Sequence, residues 1–458
     1  MTALDAAPVP LRRTRPAPPV RHVHVGLGNF FRAHQAWYTH RAPDAAQWGI
    51  AAFTGRSPHL ADALHEQDGL FTLDTRGADG DHLEVITSVA ATHPARDHAA
   101  WLRYLADPQV VLVTLTVTEA GYSRGPDGGL AGTDQVAADL VALLADPSAL
   151  VSTVPFRLVA GLAARRAAGA GPLTVVPCDN LPDNGAATAR VVREAARLVD
   201  PALADWIDDN VSYVTTMVDR ITPEPTADDV ASVAALTGVS DSSPVVTEPF
   251  SEWVLSGTFS AGRPRWEAAG ATFTDDVRPF EARKLGLLNG AHSLLAYGGL
   301  LRGHTTVADA IGDPGCLAWV EQWWDEASTH LTLPADDIVA YRTALLARFG
   351  NPTMRHRLDQ IAADGSQKLP VRILPTIRAE RAAGRLPQGG SRVLAAWIAH
   401  LRAGTSVTDV QAPELVGLAA GSLDEAVPRL LNELDPRLAQ DGGLVAAVRR
   451  EAGQLDGT

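Results

Sequence analysis

The chain has 458 residues, 46% of them hydrophobic and 20% charged, which is long for one core and implies two domains. Its net charge of −14 excludes the basic face of a nucleic-acid binder. Two cysteines, Cys178 and Cys316, exclude a disulfide framework or a Cys-rich zinc site, and no apolar run approaches the roughly eighteen residues of a membrane span.

Residues 1–19, rich in Pro, Ala and Arg, lack the apolar stretch of an export signal. They are expected to form a flexible tail on a cytoplasmic protein. Next comes "VHVGLGNFFRAH", a short strand running into a glycine turn and then a helix. Further strands are expected in "WGIAAF", in the run 111–122, in "PLTVVP" and in "SYVTTMVDRITP", with helical segments such as "GTDQVAADLVALLAD" between them. Strands alternating with helices predict a parallel sheet covered on both faces. From about Phe280 strand-like runs become scarce and segments such as "CLAWVEQWWDEA" and "SRVLAAWIAHLRAG" have helical spacing. The expected fold is α/β: a Rossmann-like doubly wound domain over 20–277, followed by a mostly α-helical domain over 278–458.

Gly26 and Gly28 follow the first strand directly. A turn of this kind brings backbone N–H groups to a pyrophosphate, although Phe31 stands where the third glycine of G-x-G-x-x-G would be. A methyltransferase-type turn or an ordinary βα turn would read similarly. The second strand ends in "FTGRSPH", with Arg56 and no nearby acid. An arginine here can accept a 2′-phosphate, so NAD and NADP both remain open. His22 and His24 have the spacing of a metal pair on a strand, but no cluster of Cys, Asp or Glu accompanies them.

Lys284 and Lys368 are the only lysines among 39 Lys and Arg residues. Arginine stays protonated and cannot act as a general base, whereas a buried lysine can lose its proton. On an ideal helix Lys284 falls within the apolar stripe of Leu287, Leu288, Ala291, Leu294 and Leu295, which predicts a buried amine. His292 lies at the edge of that stripe. Asn289 is about 140° away from Lys284 at 100° per residue. The three converge if substrate lies along the helix or if the turn at "NG" is irregular, which Gly290 favours. Glu281, one turn before Lys284, is placed to pair with it or to relay its proton. Asn180, in "CDNLPDNG" at a strand end, can donate an amide hydrogen to an oxyanion. Asp179 and Asp183 are candidate helix caps, and Asp219 with Arg220 forms a candidate ion pair.

Taken in order, "VGLGNFFRAHQ", "TLTVTEAGY", "CDNLPDNG", "TMVDRITP", "EPFSEWV", "KLGLLNGAHSLLAY" and "DGSQKLP" resemble the motifs of the mannitol dehydrogenase family, the polyol-specific long-chain dehydrogenases and reductases. Lys284, Asn289 and His292 match that family's K-x₄-N-x₂-H signature. The resemblance implies a metal-independent oxidoreductase with Lys284 as general base, Asn289 and Asn180 polarising the alkoxide, and His292 orienting substrate. It also implies substrate contacts at Asp219 and Lys368 and a carboxylate near the proton path at Glu281. The implied cofactor is NAD, with NADP the alternative, at Gly26, Gly28, Asn29, Phe30, Arg56, Thr118 and Glu119. Gln360 replaces the arginine of mannitol 2-dehydrogenases and is closer to fructuronate reductases. Arg355, Arg357 and Arg372 are then candidates for a carboxylate clamp. The expected substrate is a small sugar acid, with a polyol such as mannitol or arabinitol as the alternative, and the expected state is a monomer or small homo-oligomer. A non-catalytic nucleotide-binding sensor is the reading from a different class.

Overall fold

The computed structural model describes residues 8–55, 57–404 and 407–455. The chain divides into two compact units, Met1–Arg278 and Pro279–Thr458.

The first unit is built on six parallel strands: β1 Val20–Val25, β2 Gly49–Phe53, β3 Val89–His93, β4 Leu112–Leu115, β5 Leu173–Pro177 and β6 Val211–Tyr213. They lie in the order β3-β2-β1-β4-β5-β6, the doubly wound order of a Rossmann sheet. Every residue of β2, β4 and β5 is buried, as expected for strands covered on both faces. Alternation then sorts side chains by face. Val23 and Val25 join one hydrophobic cluster with Phe53 and Val113, whereas Ile50 and Ala52 join another with Phe31. The glycine turn leads into α1, Asn29–Ala33, and the turn after β5 leads through Asn180 into a helix, Asn184–Val199 (α2).

Three parts of this unit differ from the sequence expectations. The run 111–122 is strand only over Leu112–Leu115 and closes as a 3₁₀ turn at Glu119–Tyr122. A hairpin, Phe71–Gly77 with Gly80–Ile86, and a partner strand, Val245–Thr247, form a small separate sheet. The expectation of a flexible tail over 1–19 fails from Val9 onward, residues 1–7 lying outside the described residues. Val9 and Pro10 pair in parallel with Val239 and Ser240. Leu11 is buried, and the Arg13 guanidinium donates to the Asp68, Thr87 and Val89 carbonyls. A proline-rich segment with one short strand is held because neighbouring backbone supplies its partners.

The second unit is helical. One continuous helical stretch runs through α3, Arg278–Arg283, a π-helical turn, Lys284–Asn289, and α4, Gly290–Leu301. All residues from Gly290 to Gly299 are buried, which makes α4 the central helix of its unit. It packs against α5, Pro314–Ser328, and α6, Gln388–Arg402, and α6 in turn packs against α7, Gly442–Leu455.

Candidate functional site

Gly26 has φ +112°, and a Cβ there would fall 2.2 Å from the Thr116 carbonyl oxygen. Only glycine fits. The Gly26 and Leu27 N–H groups both donate to the Phe53 carbonyl, at 3.0 and 2.8 Å, which pins the turn to the end of β2. Asn29 and Phe30 follow at the start of α1, half-buried, and Thr118 and Glu119 lie exposed beyond the end of β4. Arg56 lies outside the described residues. The bare backbone at Gly26 fits close approach by a pyrophosphate.

The missing third glycine has a physical explanation. Phe31 is fully buried and stacks on the His24 ring at 3.6 Å. Both ring nitrogens of His24 and Nε2 of His22 are spent on hydrogen bonds. Thr116 Oγ1 donates to the Gly26 carbonyl at 2.9 Å, so it accepts from His24 Nε2 at 3.0 Å. His24 Nδ1 then accepts from Thr114 Oγ1 at 2.7 Å, and Thr114 accepts from His22 Nε2 at 2.6 Å. Burial pushes the His22 pKa down to about 3 and that of His24 well below its ordinary value. Both rings are therefore neutral, forming a chain of one polarity that ends on the glycine turn.

At the end of β5, Asn180 is exposed and follows a braced loop. The Tyr122 hydroxyl donates to the Asp179 carboxylate, and Asp179 also accepts from the Leu181 N–H at 2.9 Å. Asn184 bridges the Asp179 and Thr216 backbones through its side-chain amide. Burial pushes the Asp179 carboxyl up, and burial followed by Asp179 pushes the Tyr122 phenol up. Asp179 thus braces the loop, and the residue at the cap position of α2, Asp183, makes no side-chain cap bond. Asp219 is buried at the end of strand Thr215–Asp219. Arg220 donates to the Glu248 and Ala33 carbonyls and lies 4.5 Å over Trp37, so its guanidinium serves the backbone.

In the second unit the stripe of Leu287, Leu288, Ala291, Leu294 and Leu295 is buried as expected, but Lys284 is half-buried rather than enclosed. The turn that begins at Lys284 is irregular. The Gly290 N–H donates to the Leu285 carbonyl, five residues back, as well as to that of Leu287. Bonding of i→i+5 type widens the turn. Residues five apart in such a turn lie nearer one face than on a regular α-helix, and Asn289, like Lys284, is half-buried. Glu281 sits half-buried on the preceding turn. His292 is buried, with its ring 4.9 Å from that of Phe349 and 5.0 Å from that of His356. Burial, then Arg348, lowers the His356 pKa to about 4.

Lys368 and Arg372 lie one turn apart on the helix Gly365–Arg372, both half-buried. Lys368 Nζ donates to the Ile361 carbonyl at 3.2 Å, and Arg372 reaches Ser293 Oγ, next to His292, at 3.4 Å. Burial, followed by Arg372, lowers the Lys368 pKa. The three-arginine clamp does not assemble as expected. Arg357 is exposed and pairs with Asp359 across a single turn. Arg355 and Gln360 are exposed. Among the described residues, one grouping has metal-ligand chemistry, His304, Asp313 and Cys316. Asp313 there caps α5 through the Gly315 and Cys316 N–H groups and takes a two-pronged pair from Arg302. His304, then Arg302, hold its carboxyl well below the ordinary range. That carboxylate is already satisfied.

Sequence reasoning allowed for an irregular turn at Asn289–Gly290 but missed its π form and the donors that meet it, the indole N–H groups of Trp323 and Trp324. The adjacent pair in "EQWWDE" was the available signal.

Comparison with known proteins places this geometry. The mannitol dehydrogenase Rossmann-domain model matches residues 20–268, and the mannitol dehydrogenase C-terminal-domain model matches residues 276–455. The chain belongs to the mannitol dehydrogenase family. It is an oxidoreductase of that family, acting on CH–OH groups. It is 40% identical to D-mannonate oxidoreductase of Escherichia coli over 382 residues, covering 81% of this chain and 76% of that one. It is 38% identical to D-arabinitol 4-dehydrogenase of Ralstonia nicotianae over 445 residues, covering 93% and 94%. Among solved structures, Pseudomonas fluorescens mannitol 2-dehydrogenase in ternary complex with NAD and D-mannitol matches with a TM-score of 0.82. It is 36% identical, and the match covers 96% of this chain and 92% of that one.

Proposed function

We propose that this member of the mannitol dehydrogenase family interconverts a secondary alcohol and a ketone on a linear sugar acid of the mannonate/fructuronate type, with NAD(H). Lys284 Nζ takes the hydroxyl proton of the alcohol, and Glu281 passes it on toward solvent. Asn289 and Asn180 donate amide hydrogens to the developing alkoxide. His292 orients the hydroxyl, while Asp219 and Lys368 contact the rest of the substrate. Bound NAD supplies the hydride acceptor; Gly26, Gly28, Asn29, Phe30, Thr118 and Glu119 hold it, with Arg56 assigned to the ribose end.

The observation that carries the acid substrate is the pair Lys368 and Arg372. Two half-buried cations on one helix face, one of them reaching the residue after His292, suit a carboxylate better than a row of hydroxyls. A polyol is the second reading. It is favoured by the loss of Arg357 to Asp359 and by the nearly full-length match to an arabinitol dehydrogenase. NADH and NADPH oxidation against D-fructuronate, D-tagaturonate, D-fructose and D-xylulose tests the choice. The proposal expects a ketouronate with NADH to give the highest kcat/KM. Preference for fructose or xylulose would overturn the acid assignment and leave the family unchanged.

A further inference from the structure

The π turn poses a problem of its own. An extra residue in a helical turn disturbs the carbonyls around it, and buried carbonyls need partners. Here the partners come from two consecutive residues of α5. Trp323 Nε1 donates to the Gly286 carbonyl at 2.8 Å, and Trp324 Nε1 donates to the Leu287 carbonyl at 2.8 Å. Both indoles are buried. Adjacent donors thus meet adjacent acceptors inside the segment that separates Lys284 from Asn289.

Two further contacts tie the pair to the same groups. A Cβ at Gly290 would come 2.5 Å from Trp323 Nε1, so the glycine directly after Asn289 makes room for the indole. Trp324 stacks on Phe349 with centroids 6.2 Å apart, and Phe349 packs against the His292 ring at 4.9 Å. One indole therefore abuts the peptide after Asn289, and the other reaches His292 through a single ring. A pair of core tryptophans chosen only for bulk would not require both N–H groups to fall on successive carbonyls of one irregular turn.

We infer that Trp323 and Trp324 are positioning residues for the reaction: their indole N–H groups hold the wide register of residues 284–289 that aligns Asn289 and His292 with Lys284. This rests on the assignment of Lys284, Asn289 and His292 made above. Loss of either donor lets the turn relax toward regular α geometry. Asn289 then swings back toward the position of an ideal helix, about 140° from Lys284.

The test replaces each tryptophan in the full-length enzyme with 3-benzothienylalanine, which keeps the bicyclic shape and puts sulfur where the N–H was. Trp323→Phe and Trp324→Phe serve as genetically simple companions, and Lys284→Ala is run beside them. The readouts are kcat per NAD-binding site, KM, NAD affinity, melting temperature and the primary deuterium isotope effect on kcat. The expected result is a fall in kcat of about 10- to 100-fold, the scale of a misplacement near 1 Å. NAD affinity should be preserved and the isotope effect should rise as hydride transfer becomes limiting. A role confined to packing would lower the melting temperature and leave kcat per site and the isotope effect at parent values, overturning the inference. Should the phenylalanine variants fold poorly, the isosteric pair decides. If Lys284→Ala itself turns over normally, the base assignment fails. If Lys284→Ala is inactive while both isosteres match the parent, only the positioning role fails.

Discussion

The glycine turn after β1 and the π turn at Lys284 both depart from regular geometry, and they are held by opposite means. At Gly26 the departure is fixed by what is missing: no side chain fits beside Thr116, and two N–H groups on Phe53 O close the turn. At residues 284–289 it is fixed by what is added, two buried tryptophans donating to two carbonyls. The first arrangement leaves bare backbone for a ligand to approach. The second aims side chains. A cofactor site tolerant of chemistry at its rim can be built on the first, whereas proton transfer needs the second, because its groups must meet within hydrogen-bond reach.

The contrast predicts different kinds of damage. Lys284→Ala should have the largest effect, lowering kcat by about 10²–10⁴-fold, the usual worth of a general base. NAD affinity, measured by fluorescence titration, should stay at the parent value. Gly26→Ala should do the reverse. A non-glycine residue at φ +112° with a Cβ 2.2 Å from backbone costs about 1–3 kcal/mol in strain alone. That should appear as about a tenfold or greater loss in NAD affinity, with a lower melting temperature. If Gly26→Ala binds NAD normally, the turn is not where the pyrophosphate lies, and the comparison loses one side.

Tyr122→Phe probes the loop before Asn180. Removing the phenolic hydroxyl takes a donor from a half-buried Asp179, which should cost about 1–3 kcal/mol of stability by denaturant melting. A stability equal to the parent's would show that Asp179 has no need of Tyr122. The smallest effect on turnover is expected at Glu380. Arg385 and then His330 hold its carboxyl down to about 2 from the ordinary 4.5. A carboxylate with a depressed folded pKa adds stability above the unfolded value, lost as pH falls through the folded one. Glu380→Gln should therefore flatten the stability profile between about pH 5 and pH 2. An unchanged acid limb, followed by melting temperature, would contradict the ion pair's contribution.

Much of the architecture was legible because hydrophobic patterning reports burial directly. The apolar runs "VVLVTL" and "LTVVP" are buried throughout, as inner strands are. The helical texture after Phe280 was equally plain. The N-terminal arm at Val9–Arg13 was not, because its stability comes from the Asp68, Thr87 and Val239 backbones rather than from its own composition. In the site, the lysine count drew attention to Lys284, and the family's spacing added Asn289 and His292. The angle between Lys284 and Asn289 could not be read from an ideal helix, because it depends on donors 37 residues away at Trp323 and Trp324. The proposed arginine clamp failed for a local reason: Asp359 lies two residues from Arg357 and captures it in solvent. Arg372, in contrast, points to Ser293 beside His292.

The central claim is that this chain keeps a lysine at 284 because the group there must give up a proton. Single-turnover alcohol oxidation by Lys284→Arg, followed as NADH formation with NAD binding measured on the same protein, tests it most directly. Arginine keeps the charge and much of the reach but not the basicity. The account predicts that the variant binds NAD like the parent and transfers hydride no faster than Lys284→Ala. Hydride transfer at the parent rate, with the parent's pH dependence, would contradict it.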